Sequence, residues 1–183
     1  MPSRSTKERE HPKQAFTKKE VLKEILDFLF APWGRMDRGS YVAIFKMIIA
    51  IAVVSGIVVN FFLIGMLSLK PSLALKIHFV LGGFTGWIHL AAMIRRNHDL
   101  GWPGFLPIVV WAPPYLSFFM LCLHPESLYE FIRYAFVDGY ADFAVYLAIQ
   151  SLLISGMHLV HVTKEGDVGE NRYGPDPRQE SID

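Results

Sequence analysis

The chain has 183 residues, 52% of them hydrophobic and only 19% charged, and its mean hydropathy is +0.30. Soluble domains carry about 25% charged residues, so this composition excludes a disordered chain and argues against a soluble enzyme. A net charge of +1 argues against a nucleic-acid binder, and the single cysteine, Cys122, excludes an internal disulfide or a multi-Cys metal site.

Residues 1–16 read as a flexible polar tail without the apolar core or cleavage site of a signal peptide, so the first apolar span is expected to serve as the insertion signal. Thr17-Lys18-Lys19-Glu20 has the capping-box pattern. Val21, Leu22, Ile25, Leu26 and Leu29 then recur at helical spacing opposite Lys19, Lys23 and Asp27. This predicts an amphipathic helix whose apolar face lies on the cytoplasmic membrane interface or packs on the protein's own bundle. Ala31-Pro32-Trp33-Gly34 breaks the helix, with Trp33 suited to the headgroup layer.

Four apolar segments follow, at residues 43–69, 77–94, 105–123 and 140–162. Each is near or above the roughly 18–20 residues that cross a bilayer as a helix. In the second, Gly82 and Gly86 form a G-x-x-x-G; in the fourth, Ser151 and Ser155 form the equivalent small-residue pair. Both suit close helix packing, within the bundle or to a partner. Pro107, Pro113 and Pro114 fall in the third, where the Pro-Pro pair predicts a kink. Residues 127–137, between the third and fourth, predict a short helix on the outer surface. The tail, 164–183, is polar and reads as flexible from 166 onward unless a partner orders it.

Polar groups at membrane depth are few: Asn60, Thr85 and Gln150 near mid-span and Asp142 at an outer end. No Asp, Glu, Lys or Arg occupies mid-span, which argues against coupled transport. His78 and His89 lie on the second span, His158 and His161 on the fourth. His89 and His158 each precede a basic residue by six positions, so they could face one another as haem ligands; hydrogen-bonded packing histidines are the commoner case. No cofactor is otherwise implied. Hydrolytic chemistry lacks a metal-ligand spacing, a G-x-S-x-G and paired buried carboxylates.

Nine of the 18 Lys and Arg lie in residues 1–38, and Arg95, Arg96, Lys164, Arg172 and Arg178 fall on the same side. Only Lys70, Lys76 and Arg133 fall opposite, which predicts two cytoplasmic termini. Three motifs mark that side: Gly34-Arg35-Met36-Asp37-Arg38 with Tyr41; Arg95-Arg96-Asn97-His98-Asp99-Leu100-Gly101; and Gly169-Glu170-Asn171-Arg172-Tyr173-Gly174-Pro175-Asp176-Pro177. The second makes a tight hairpin, with cations at a helix C-terminus and turn formers after them. Asp99 is free to pair with Arg35, Arg38 or Arg96.

In this order the motifs resemble the bacterial inner-membrane family catalogued as domain of unknown function 805, over roughly residues 28–177. The resemblance implies a small four-helix membrane protein with a G-R-x-x-R segment, an R-R-x-H-D-x-G hairpin and a G-x-N-R-(F/Y)-G-P-D-P tail. Trp102-Pro103-Gly104-Phe105 departs from the family's polar-Ser-Gly-Trp run. The N-terminal extension and outer loop are also longer than in the family.

The expectation is an all-α membrane protein of four transmembrane helices, with an N-terminal interfacial helix and a short outer-loop helix. The membrane domain spans 17–163. Its expected role is that of a non-enzymatic accessory or scaffold subunit of the inner membrane, bound to lipid and to a membrane-protein partner or a second copy. Arg35, Arg38, Arg95, Arg96, Asp99, Asn171, Arg172 and Asp176 are the candidate contacts to partner or lipid. A small transporter or channel is the alternative, and bis-His haem binding through His89 and His158 a weaker one.

Overall fold

The structure, a computed structural model, describes residues 17–68, 70–123, 133 and 140–179. Its regular structure is helical throughout the described residues. Helix α1 (Lys18–Phe30) begins at the expected capping box: Glu20 N donates to Thr17 Oγ1 (3.3 Å), and Thr17 N donates to Glu20 Oε2 (2.7 Å). The chain then turns through Gly34, whose φ of 80° suits only glycine without strain. Asp37 caps α2 (Arg38–Ile57) by accepting from Ser40 N at 3.0 Å and from the Ser40 hydroxyl. A π-helical segment, Val58–Met66, continues α2.

Helix α3 (Pro71–Asp99) starts with proline in its first turn, where the missing amide costs nothing. It ends in a Schellman motif: Trp102 N bonds Asn97 O (2.8 Å) and Gly101 N bonds His98 O (3.1 Å), with Gly101 at φ 70°. Helices α4 (Phe105–Leu123) and α5 (Tyr140–Thr163) complete the bundle. Three helices are long and apolar enough to cross a membrane: Arg38–Met66, Lys76–Asp99 and Phe143–Thr163. In α4 the described apolar stretch, Phe105–Leu116, is shorter. The outer-loop helix expected over 127–137 lies, Arg133 apart, outside the described residues, as do the tail 1–16 and the side chain of Asp142.

Helix α3 is the hub and contacts α1, α2, α4 and α5. The buried core, Met36, Tyr41, Ile44, Ile88, Ala92 and Met93, sits near the hairpin end. Farther along, Val53, Val54, Ile57, Phe61, Leu152 and Leu153 face outward. So large an apolar exterior suits a hydrocarbon surround.

Two local outcomes follow from backbone bonding. Pro113 and Pro114 lie inside α4, which continues through them as one helix. Pro114 has no amide to offer the Val110 carbonyl four residues back, and the Gln150 side chain of α5 donates to that oxygen instead. In α1, only Leu29 and Phe30 pack on the core. Val21, Leu22, Ile25 and Leu26 are 42–56% exposed, so the bundle does not cover that apolar face.

Candidate functional site

The hairpin end is organised around one carboxylate. Asp99, the last residue of α3 and within the Schellman turn, is held by two guanidinium groups. Arg35 donates to Oδ1 from Nε (3.1 Å) and Nη2 (2.8 Å), and Arg96 Nη1 donates to Oδ2. The Arg35 and Asp99 side chains are 1% and 2% exposed, and that of Arg96 is fully buried. Buried charges are tolerated only when their remaining hydrogen-bonding sites are filled, and here they are. Arg35 also donates to the carbonyls of Asp167, Gly169 and Gly174, and Arg96 donates to those of His161 (3.0 Å) and Lys164.

These carbonyl contacts fasten the tail. Expected to be flexible from 166 onward, it folds back over the hairpin. Asp167 N bonds Asp99 O (2.7 Å), and the Asn171 side chain donates to His98 O (3.0 Å). Asn171 and Gly174 pair through their backbones, and Tyr173 stacks on His98 with centroids 3.9 Å apart. His98 Nδ1 in turn donates to Gly34 O (2.9 Å), joining the first motif to the other two. Asp176 accepts from Gly169 N (3.0 Å) and from Arg178 Nε (2.7 Å). The Arg178 side chain holds the Asp176 carboxyl well below the usual carboxylate range, assisted by the amides of Arg178 and Gly169. At Asp37, burial works to raise the carboxyl. The Ser40 hydroxyl and the amides of Ser40 and Gly39 together outweigh it and hold the group below its ordinary value.

Of the candidate contacts to a partner or headgroup, the side chains of Arg35, Arg95, Arg96, Asp99 and Asp176 are all buried. Arg95 donates to the Phe28 carbonyl and lies over the Phe28 ring, at the end of α1, which has no basic residue in its last turn. Arg38 and Arg172 sit at the edge of the cap. Arg38 pairs with Glu165 (2.7 Å), and Arg172 donates to Gly101 O (3.2 Å). Asn171 is a tail fastener.

The small residues divide. Gly86 is buried, and a Cβ there would collide with the Tyr115 hydroxyl of α4, so it does pack helix on helix. Gly82 would meet nothing within 4 Å, and Ser151 and Ser155 are exposed. These three do not pack within the described bundle, which leaves packing to a partner as the reading for them.

Nearby, the histidines of α3 and α5 do meet. His89 and His158 stack with centroids 5.0 Å apart and planes 2° from parallel. Axial haem ligands point their nitrogens at each other across an iron. Stacked faces leave no room for a macrocycle between them, and the Tyr41 hydroxyl already lies 2.6 Å from His158 Nδ1. The pair does not fit haem. His161 Nε2 donates to Asn97 Oδ1 (2.6 Å), while the Asn97 amide donates to Pro103 O (3.1 Å). No group of three or more ligating side chains that could hold a metal is found among the described residues.

Sequence reasoning missed Gly166, Asp167 and the Asn97–His161 pair. A Cβ at Gly166 would overlap Asp99 Oδ2, so glycine there lets the tail cross the buried carboxylate. The only signal was a glycine just after the fourth span.

A family model described as a protein of unknown function (DUF805) matches residues 29–175, and the chain belongs to that family. No curated protein and no solved structure matches it.

Proposed function

We propose that this DUF805-family chain is a non-enzymatic accessory or scaffold subunit of the bacterial inner membrane. It crosses the bilayer four times with both termini in the cytoplasm and binds a membrane-protein partner through its cytoplasmic cap. The observation that carries the reading is the Arg35–Asp99–Arg96 cluster, which joins three distant segments into one ordered cap. Its location at the Lys/Arg-rich end of the bundle favours the cytoplasmic side.

Within this reading the buried charges are positioning residues, and contact falls to the cap's edge. That edge carries Arg38, Glu165, Arg172 and Val168, the last 88% exposed. The uncovered face of α1 supports a helix lying in the cytoplasmic interface. A transporter finds less support. The Asn60 and Thr85 side chains bond carbonyls of their own helices, and Gln150 is committed to Val110.

Purification from native membranes in mild detergent, followed by mass spectrometry, tests the proposal. Wild type is expected to bring a stoichiometric membrane-protein partner. Arg38→Glu with Arg172→Glu is expected to lose it while melting at the wild-type temperature. A protein without a partner that moves solute in proteoliposomes would overturn the scaffold reading in favour of transport.

A further inference from the structure

Where the cap meets the start of α4, two cations flank one dipeptide, Gly101-Trp102. Lys164 holds its ammonium over the Trp102 ring, 4.9 Å from the centroid. Arg172 donates to the Gly101 carbonyl (3.2 Å). Both residues are exposed, and neither forms an ion pair among the described residues. Of the neighbouring acids, Glu165 pairs with Arg38. Asp167, which lies against Gly101, accepts from the Asn171 side chain (3.3 Å). A cation–π contact orients an ammonium without neutralising it, and a guanidinium that uses one N–H on a carbonyl has four others to offer. The surface beside these charges is apolar. Lys164 directly follows the membrane-length stretch Phe143–Thr163, and Trp102 stands three residues before the apolar stretch Phe105–Leu116. Phe105 and Val109, one turn apart on α4, are 58% and 62% exposed.

We propose that this edge binds an anionic phospholipid of the cytoplasmic leaflet, with its phosphate held by Lys164 and Arg172 and its acyl chains along α4. The proposal rests on the reading that the hairpin end of the bundle lies at the cytoplasmic interface. Charge and polarity together select the occupant. Lys and Arg donors match a phosphate, which only accepts. A Trp ring carrying both an apolar body and an N–H belongs at headgroup level. An anionic phospholipid repeats the same order, a negative headgroup next to apolar chains. An acidic peptide would match the two cations but leave Phe105 and Val109 without an apolar partner. Lys164 takes no part in the Arg38–Glu165 and Val168 surface assigned to a protein partner, so lipid binding and partner binding fail separately.

Native mass spectrometry of the detergent-purified full chain, titrated with dioleoylphosphatidylglycerol, tests this. One saturable lipid site per chain is expected, with an affinity about tenfold above that for zwitterionic dioleoylphosphatidylcholine. Lys164→Gln and Arg172→Gln should each weaken binding about fivefold, the share of one basic residue at an anionic surface. Lys164→Arg, which keeps the charge, should bind as wild type. Lys19→Gln with Lys23→Gln, on α1 and outside the site, should do the same. Lys164→Gln should still bring down the membrane-protein partner from native membranes, which separates this site from the scaffold reading. The proposal is overturned by equal affinity for the two lipids, by wild-type affinity in Lys164→Gln, or by an equal loss in the α1 double variant, which would mean diffuse charge. It is also overturned by equally strong competition from glycerophosphoglycerol, which has the phosphate without the chains and would mark a site for a soluble anion.

Discussion

Asp99 accepts from two buried guanidinium groups, and its removal leaves both without a counter-charge. Breaking a buried ion pair from one side costs roughly 3–5 kcal/mol. Asp99→Asn should therefore lower the thermal stability of the purified protein by an amount in that range and free the tail, seen as rapid proteolysis after Lys164. Wild-type melting together with an intact tail would mean that backbone contacts alone hold the cap. Asp176 gives a pH signature. Its folded-state value lies below the unfolded carboxylate value near 3.9. The contribution of its charge to tail docking is thus fully present above about pH 4 and is lost as pH falls through the folded value. Hydrogen exchange at the Gly169 amide, which donates to Asp176, should stay slow from pH 7 down to about 4 once corrected for intrinsic rates. It should rise only below that, and Asp176→Asn should raise it throughout the range from pH 7 to about 4.

Helix α4 shows how an apolar helix carries two internal prolines. The Val110 carbonyl, left without its usual amide by Pro114, takes the Gln150 side chain. Gln150→Leu should cost about 1–3 kcal/mol, the penalty of an unsatisfied buried acceptor. In a Pro114→Ala background the backbone amide returns, and the same substitution should cost much less. A double-mutant cycle by thermal unfolding in detergent measures the difference, and equal costs in both backgrounds would remove Gln150 from this role. Much of the element scale was legible in the sequence. The Thr17–Glu20 box, the Asn97–Gly101 turn and the apolar runs are local patterns whose physics is complete within a few residues. The acceptor found by Gln150 was not legible, because it lies 40 positions away on another helix.

For the whole molecule, the arrangement is a bundle tied at one end and apolar along its sides. Helix α1 joins it through its last turn, where Trp87 Nε1 donates to Phe30 O (3.1 Å) and Phe30 meets Phe84 edge-on. The rest of its apolar face rests on nothing in the described chain. Replacing Leu22, Ile25 and Leu26 by Ser should leave bundle melting within about 0.5 kcal/mol of wild type, as expected away from a packed core. In nanodiscs the same substitutions should speed amide exchange in α1, because the bilayer no longer holds the helix. A large loss of bundle stability would show instead that this face packs on the protein itself.

The sequence by itself determined an all-helical chain with membrane-length apolar helices, the start of α1, the hairpin and the family, because each is written in contiguous composition, period or motif. Only the tertiary structure decided that Asp99 pairs with both Arg35 and Arg96 rather than with Arg38. It also decided that the tail is part of the cap, that Gly166 is the residue that lets the tail cross, and that His89 meets His158 by stacking. Those outcomes depend on which side chains meet across separations such as the 64 residues between Arg35 and Asp99. A motif reveals that charges gather at one end of the bundle. Geometry alone selects the pairing that sets Arg35 and Arg96 on one carboxylate.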